Sequence, residues 1–234
     1  MTARSLDKST ARIAGMFNDI APHYDFLNHF LSFGFDHLWR RRLVRRIAKQ
    51  NPRHILDVAT GTGDLALLLH RKTKAAVTGI DIAGDMLAIA KKKARKLEKL
   101  RFIQAQAEAL PFPDGSFDVA TVSFGVRNFE HLQQALAELQ RVLKPGGTLA
   151  VLELTTPMHF PLKQCYRFYS FRLIPFFGRL ISAHRAAYRY LPQSINTFPQ
   201  REAFLSELAH AGFTTLTCRP FTGGVCCFYT ANKK

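Results

Sequence analysis

The chain has 234 residues, of which 47% are hydrophobic, so it can bury the core of one globular domain. Its 33 Lys and Arg outnumber its 17 Asp and Glu, and the formal net charge of +16 favours a polyanionic partner such as RNA or an anionic membrane surface, unless the chain is simply basic all over. Four cysteines without C-x-x-C spacing argue against a disulfide framework or a metal site, and no run approaches the roughly 18 apolar residues of a spanning helix, so a location in the reducing cytoplasm is expected.

Residues 1–50 are predicted to form a mainly helical lid that ends in the basic run LWRRRLVRRIAK. Residues 51–154 then alternate short apolar or β-branched runs with amphipathic helical patterns. This alternation is typical of βαβ units and of a parallel sheet covered by helices on both faces. We therefore predict a doubly wound, Rossmann-like α/β fold, with the whole chain forming a single domain.

Within this core, five strands and three helices are predicted. The strands are HILDVAT, AAVTGIDI, RFIQAQAE, FDVATVSFGV and TLAVLEL, and the helices are DLALLLHRKT, DMLAIAKKKARKLEKL and HLQQALAELQRVLKPGG. The second helix turns apolar residues inward and a dense lysine row outward, which favours a solvated face over a binding patch. The segment Lys144-Pro145-Gly146-Gly147 is predicted to stop the third helix.

Residues 155–200 form an insert in which aromatic and basic residues alternate. These residues are Phe160, Lys163, Tyr166, Arg167, Phe168, Tyr169, Phe171, Arg172, Phe176, Phe177, Arg179 and Arg185. Such a mixture serves RNA by stacking and phosphate contact, or a membrane interface by partitioning rings beside anionic lipid. Composition leaves both open, and an ordinary hydrophobic lid is the simpler alternative.

Residues 201–234 are predicted to add one helix, REAFLSELAHAG, and two strands, FTTLTCRPF and GVCCFYTAN. The connection through Thr222-Gly223-Gly224 is too short for a crossover. The last two strands are therefore expected to be antiparallel.

The most informative motif is the turn in ILDVATGTGDLALLLH, residues 55–70, where an apolar strand enters a glycine turn and leaves as a helix. Residues 61–66 match G-x-G-x-x-G/A, and Asp81 follows at the spacing of a ribose-binding acid. A nicotinamide dinucleotide and S-adenosylmethionine (SAM) both satisfy this pattern. Asp57 favours SAM, because a carboxylate in the first strand can accept a hydrogen bond from an ammonium group, which a dinucleotide lacks.

Other roles for these acids stay open at this point. Asp57 could cap the turn by bonding backbone amides, and Asp81 could be the N-terminal acid of the following helix. Ala107 and Glu108 come just after the third strand, where short side chains and backbone could meet an adenine ring. Taken together, these features favour a SAM site.

Several segments outside the turn resemble signatures of the demethylmenaquinone and ubiquinone C-methyltransferase family, which belongs to the class I SAM-dependent methyltransferases. They are MFNDIAPHYDFLNHFLSFGFDHLWRR, SFGVRNFEH, RVLKPGGTLAVLEL, YRYLPQSINTFP and TGGV, and they extend over almost the whole chain. The resemblance implies a seven-stranded sheet closed by a reversed C-terminal β-hairpin. Departures from it are Ala59, where many methyltransferases have glycine, Gln106, where Asn or Asp is commoner, and the segment SAHRAA, where relatives tend to carry acidic residues.

By this resemblance SAM is the cofactor, and Thr62, Asp81, Gln106, Ala107 and Ser123 match positions that contact it. Asp57, Gly61 and Gly63 of the turn complete the predicted cofactor site, and no metal is expected.

The family implies transfer of a methyl group from SAM to a ring carbon of a polyprenylated hydroquinone. A naphthoquinol, demethylmenaquinol, is favoured over a benzoquinol of the ubiquinone pathway. An RNA methyltransferase and a non-catalytic SAM-binding regulator are the alternatives. The expected partners are the polyprenyl hydroquinone and an anionic membrane, at the inner face of which the protein would lie peripherally; no nucleic acid is expected, and a homodimer is left open.

Methylating an aromatic carbon requires a group that favours loss of the neighbouring hydroxyl proton. Arg127 is the first candidate, because it lies just past the fourth strand at the ligand-binding edge and can stabilise a developing phenolate. Asn128 would orient that oxygen, or instead cap the helix EHLQQALAEL. Tyr24 and His29, in the lid, are secondary candidates.

Overall fold

The computed structural model describes residues 6–173 and 185–234. Its strands are β1 His54–Val58, β2 Ala76–Asp81, β3 Leu100–Gln104, β4 Phe117–Ser123, β5 Leu143–Leu154, β6 Phe213–Phe221 and β7 Cys226–Lys233. They form one sheet in the order β3-β2-β1-β4-β5-β7-β6. Strands β1 to β5 run parallel, whereas β7 is antiparallel to both β5 and β6. The predicted seven-stranded α/β sheet and its reversed C-terminal hairpin are confirmed.

The helices are α1 Thr10–Ile20, α2 Tyr24–Leu31, α3 Phe35–Ala48, α4 Asp64–Thr73, α5 Gly84–Ala94, α6 Leu132–Val142, α7 Leu162–Phe168, α8 Arg185–Thr197 and α9 Glu202–His210. Short 3-10 turns occur at Ala21–His23, Val126–Asn128 and Thr222–Gly224, and a π turn at Tyr169–Leu173 follows α7. Within the described ranges, no helix combines the length and the apolar character needed to cross a membrane.

The core lies on both faces of the sheet. On one face, Leu56 packs in a cluster with Leu136 of α6 and Phe204 of α9. On the other, Ile55 packs with Leu43 of α3 and with side chains of α4. Because successive strand residues point to opposite faces and both faces are covered, the central strands are nearly continuous apolar runs.

Several element ends differ from the predictions, among them those of β3, which ends at Gln104, and of two helices. Helix α5 was predicted to continue to Leu100 but ends at Ala94, because the chain must turn before β3 begins at Leu100. Helix α6 does end near the predicted stop, at Val142, yet Lys144-Pro145-Gly146-Gly147 belong to the irregular start of β5. Gly146 has φ of +75° there, which favours glycine.

The lid helices lie over the carboxyl edge of the sheet and are tied to it by polar contacts. The backbone N–H and the hydroxyl of Thr10 donate to Glu130 Oε2 at 2.8 and 2.9 Å. The N–H of Asp85, at the start of α5, donates to Asn18 Oδ1 at 3.0 Å. Both ends of α1 are therefore attached to the core.

A second attachment comes from the lysine row on α5, which is exposed as predicted. Lys93 bridges the carboxylates of Asp25 in α2 and Asp64 in α4, at 2.6 and 2.7 Å. Asp25 also accepts a hydrogen bond from the Thr62 hydroxyl at 2.5 Å. This lysine therefore links the lid to the glycine turn.

Candidate active site

A narrow cavity lies at the carboxyl ends of β1, β2 and β4, beneath α1 and the first residue of α2. Its lining includes Lys8, Thr10, Phe17, Tyr24, Gly61, Asp81, Ile82, Met86, Ala107, Ser123, Phe124, Asn128 and Glu130. Its volume, about 60 Å³, is small beside the roughly 300–1,000 Å³ of common ligand sites.

Asp81 ends β2 at the floor of this narrow cavity. Its Oδ2 accepts the Gly61 N–H at 2.8 Å, and its Oδ1 accepts the Ala83 N–H at 2.9 Å. Burial raises the pKa of this carboxyl, against the backbone hydrogen bonds that lower it. A carboxylate offers about four acceptor positions, so two remain for the paired hydroxyls of a ribose. Because Ala83 precedes α5, Asp81 also fixes the entry to that helix.

Ser123 supplies a second polar group to the narrow cavity. No described residue forms a hydrogen bond with its buried Oγ. Leaving a buried hydroxyl unpaired costs about 1–3 kcal/mol, which a bound ligand would relieve. Of the predicted cofactor residues, Gly61, Asp81, Ala107 and Ser123 line this cavity, so the residues present fit a nucleoside ligand.

Asp57, predicted to accept a hydrogen bond from an ammonium group, does not line the narrow cavity. Its side chain is buried and accepts the hydroxyls of Thr60 at 2.7 Å and Thr121 at 2.6 Å. Burial raises the pKa of Asp57 to about 6. Both oxygens hold threonine hydroxyls rather than backbone amides, so Asp57 braces the turn against β4.

Thr62, Gly63 and Gln106 also lie outside the lining of the narrow cavity. Thr62 is bonded to the lid through Asp25. Gly63 has φ of +82°, and a Cβ there would lie 2.9 Å from Phe102, so glycine is needed for packing. Gln106 is exposed and pairs with Ala109 in an isolated bridge.

A larger, mostly apolar cavity of about 410 Å³ adjoins the narrow one. Aromatic and aliphatic side chains of the lid, β5, α7, the π turn, α8 and the turn before β7 form its walls: Met16, Ile20, Leu27, Leu31, Phe33, Phe35, Trp39, Leu154, Leu162, Tyr166, Tyr169, Tyr190, Leu191, Ile195 and Val225. Phe17, Tyr24 and Phe124 line both cavities, so these three rings mark the boundary between them.

Arg127 lines the apolar cavity and is itself buried. Its Nη1 lies 2.6 Å from Glu153 Oε1 and also donates to the Phe124 carbonyl, while its Nε donates to Ser194 Oγ at 3.3 Å. Burial alone would lower the pKa of Arg127, but the Glu153 carboxylate raises it overall. Arg127 is therefore a fixed cationic donor and cannot be a general base.

Asn128 follows in the 3-10 turn and lines the narrow cavity. Its Oδ1 accepts the Tyr190 hydroxyl at 3.0 Å. The helix-capping alternative is wrong, since α6 begins at Leu132 with His131 as its N-cap. Asn128 instead joins the turn after β4 to α8.

The two lid candidates differ in position. Tyr24 lies between the cavities, and burial raises its pKa, so the hydroxyl stays protonated and can donate. His29 lines neither cavity; its Nδ1 lies 2.8 Å from Asp36 Oδ2, and its ring stacks on His37. His29, Asp36 and His37 could hold a cation by geometry, but Arg40 already contacts the Asp36 carboxylate.

Two cationic residues of the cavities escaped the sequence analysis. Lys8 lines the narrow cavity half-buried, and its pKa is lowered first by burial and then by the charge of Arg127. Arg40 lines the apolar cavity from α3. Neither belongs to a ligand motif, and Arg40 is one of five arginines in the basic helix α3, so only the helical phase of α3 could have distinguished it.

Residues 5–233 match the ubiE/COQ5 methyltransferase family. The demethylmenaquinone methyltransferase of Bacteroides fragilis is 44% identical over 97% of this chain and 94% of its own, and that of Thermus thermophilus is 53% identical over 85% and 91%. The ubiquinone/menaquinone biosynthesis C-methyltransferase UbiE of Geobacter sulfurreducens is 42% identical over 100% and 93%.

Solved structures support the fold. A SAM-dependent methyltransferase of Thermotoga maritima, described as a possible histamine N-methyltransferase, is 21% identical with a TM-score of 0.67 over 94% of this chain and 99% of its own. Phosphoethanolamine N-methyltransferase 2 of Haemonchus contortus, solved with SAM, is 15% identical with a TM-score of 0.57 over 77% and 48%.

Proposed function

The chain belongs to the ubiE/COQ5 methyltransferase family, the members of which use SAM, and from this membership we propose that it methylates demethylmenaquinol to menaquinol. It is a SAM-dependent methyltransferase of class I fold. The acceptor in this proposal is a ring carbon of a polyprenylated naphthohydroquinone. The observation that carries the proposal is the large aromatic cavity that adjoins the cofactor cavity and contains the buried, charged Arg127.

The shape and chemistry of the two cavities support this assignment. A naphthohydroquinone with a prenyl tail is apolar apart from two ring oxygens, and walls of Phe, Tyr, Leu and Ile suit it by burial of apolar surface. The cofactor would be held by Asp81 at its ribose and by Ser123, both in the narrow cavity. Bound there, SAM would supply a methyl group that is attached to a sulfonium sulfur, and a neutral thioether would be the leaving group.

The residues around the acceptor ring must raise its nucleophilicity. When the hydroxyl beside the reacting carbon loses its proton, charge moves onto that carbon, and the guanidinium of Arg127 stabilises the developing phenolate. A carbon–carbon bond then forms, the ring C–H proton leaves as aromaticity returns, and the phenolate oxygen takes up a proton again, so one net proton is released per turnover. Water can accept it, whereas Tyr24 and Asn128 would orient the oxygens.

The substrate prediction is tested by offering the protein SAM together with a demethylated naphthohydroquinone, a benzohydroquinone precursor or structured RNA, and measuring methyl incorporation by mass spectrometry. We expect C-methylation of the naphthohydroquinone and a lower rate with the benzohydroquinone. The oxidised naphthoquinone should be inert, because an electron-poor ring without a hydroxyl cannot attack the methyl group. Methylated RNA beside unchanged quinol would overturn the assignment.

The ubiquinone-pathway alternative keeps some support, because the Geobacter relative is named for both quinones. The RNA and regulator alternatives gain none from the relatives, which are named as quinone methyltransferases. The measured preference between the two quinols decides the acceptor within the family.

We also propose peripheral contact with an anionic membrane. Both the lid and the insert carry exposed apolar side chains: Phe26, Phe30, Phe33, Phe35, Leu38, Met158, Phe160, Leu162, Phe168 and Phe171. Phe33, Phe35 and Leu162 also line the apolar cavity, so a tail leaving it would pass between them. Of the insert residues named from sequence, Phe176, Phe177 and Arg179 and the side chain of Arg185 lie outside the described residues.

Flotation with lipid vesicles checks this membrane contact. The protein should rise with anionic vesicles and much less with neutral ones, and 1 M salt should release it because the Debye length falls to about 3 Å. Substituting both Phe33 and Phe160 by serine in one variant should lower the fraction of protein that floats with anionic vesicles several-fold. Equal recovery in the soluble fraction under all conditions would count against the contact.

A further inference from the structure

Three buried side-chain atoms have no hydrogen-bond partner among the described residues: Arg40 Nε, Ser123 Oγ and Ser170 Oγ. Two of these atoms belong to residues that line the cavities. Ser123 lines the narrow cavity and Arg40 the apolar cavity. The unpaired group in the narrow cavity fits the cofactor, which raises the question of what Arg40 binds.

Arg40 is held by acidic neighbours and is almost fully enclosed. Its side chain is 9% exposed, its Nη1 contacts the Asp36 carboxylate, and Nη1 lies 3.8 Å from Asp64 Oδ2. The guanidinium carbon lies 5.5 Å from the centre of the Phe124 ring, one of the three rings at the boundary of the two cavities. The charge of Arg40 is thus neutralised on one side, while Nε is left without an acceptor.

The position of Arg40 is fixed before any ligand arrives. Asp36 accepts the Ser32 hydroxyl at 2.7 Å and lies 2.8 Å from His29 Nδ1. These bonds and the ion pair lower the pKa of Asp36 although burial opposes them, so it stays charged beside Arg40. A guanidinium anchored in this way loses little freedom when it binds a further acceptor.

A buried N–H of a charged group destabilises the protein when it is left unpaired. The walls of the apolar cavity are mainly hydrocarbon, so the ligand itself must bring the acceptor. A hydroquinone has two oxygens in para positions on one ring. The proposed function uses only one of them, the oxygen next to the methylated carbon, at Arg127.

We propose that Arg40 binds the second hydroquinone oxygen, para to the one at Arg127. The inference rests on the proposed function and names a second polar subsite in the same cavity. The aromatic ring then lies between two guanidinium groups, each neutralised by its own carboxylate, Asp36 for Arg40 and Glu153 for Arg127. Because both ends of the ring axis are held, the ring can turn only about that axis, which limits the positions its edges can take toward the narrow cavity.

The test compares two ligands that differ by this one oxygen. Calorimetry in S-adenosylhomocysteine-saturated protein, without oxygen, measures the affinity of a short-chain 3-prenyl-1,4-naphthohydroquinone and of 3-prenyl-1-naphthol. The naphthol keeps the hydroxyl next to the acceptor carbon and lacks the para oxygen. The wild type should bind the hydroquinone roughly 10-fold tighter, as expected for one charge-assisted hydrogen bond.

Arg40→Lys keeps a positive charge beside Asp36 but lacks Nε, so it should bind both ligands with similar affinity. Arg41→Lys, an exposed position on the same helix, should keep the wild-type ratio. If Arg40→Lys does not fold, the double variant Asp36→Asn with Arg40→Gln removes both charges and takes its place.

The outcomes separate the two proposals. The Arg40 subsite is overturned if Arg40→Lys keeps the wild-type ratio of hydroquinone to naphthol affinity, or if the wild type binds the two ligands equally well. Either result leaves the methyltransferase assignment intact. If Arg40→Lys weakens the binding of S-adenosylhomocysteine but keeps the ratio of hydroquinone to naphthol affinity, Arg40 Nε contacts the cofactor. This result also overturns the Arg40 subsite. If the wild type binds neither ligand but binds a benzohydroquinone or RNA, the proposed acceptor itself is wrong.

Discussion

Substituting Arg127 by alanine should lower kcat for hydroquinone methylation about 10²–10³-fold and leave SAM affinity almost unchanged. Arg127 lines the apolar cavity and not the narrow one, so the cofactor is expected to bind without it. Its guanidinium, kept charged by Glu153, acts on negative charge that develops only as the hydroxyl proton leaves. The loss should therefore appear in kcat, measured with both substrates at saturation.

Folding effects need a separate control, because alanine leaves Glu153 buried without its partner. Breaking a buried ion pair in this way costs about 3–5 kcal/mol. The double variant Arg127→Gln with Glu153→Gln removes both charges, and Glu153→Gln alone keeps the arginine. We expect the double variant to melt close to the wild type and to stay slow, and Glu153→Gln to keep most of its activity although it loses stability as Arg127→Ala does. A fast double variant would move the catalytic role to another residue, Tyr24 first.

The fold could be predicted because it depends on local patterns. Strand and helix runs of contrasting period predicted the five parallel strands, and the short Thr222-Gly223-Gly224 connection predicted the antiparallel pair, which the structure places as β6 and β7. The ends of elements were harder. Helix α5 stops where tertiary packing requires a turn before β3, and no residue of RKLEK forbids a helix.

The site was predicted in part, for a reason that Asp57 and Asp81 illustrate. Both carboxylates are spaced from the glycine turn in the sequence as cofactor ligands would be. Spacing alone therefore does not show which of them contacts the cofactor. Only the three-dimensional packing shows that Thr121, from β4, closes over Asp57, while Asp81 reaches the narrow cavity. Contacts between distant segments, such as Arg127 with Glu153 or Tyr190 with Asn128, leave no periodic signal in the sequence.

Replacing Asp81 by alanine should weaken SAM binding about 10- to 100-fold in calorimetry. The ribose hydroxyls would lose a charged acceptor, and a charge-assisted hydrogen bond is worth about 1.5–3 kcal/mol. Asp81→Asn keeps one oxygen for the Gly61 or Ala83 N–H and removes the charge, so it separates ligand binding from the shape of the turn. Unchanged affinity in both variants would remove Asp81 from the cofactor site.

The matched variant is Asp57→Asn, an equal change four residues before Gly61 in a carboxylate that does not line the cavity. SAM affinity should change less than about threefold, while the dependence of stability on pH should change clearly.

The folded pKa of Asp57, about 6, is above its ordinary 3.8, so the folded state holds the extra proton between these values. Wild-type stability should therefore fall by up to about 3 kcal/mol as pH rises from about 4 to about 6, relative to Asp57→Asn, and then stay level. Urea unfolding across this range measures the difference; a parallel pH profile in both proteins, together with a large loss of SAM affinity in Asp57→Asn, would place Asp57 against the ligand after all.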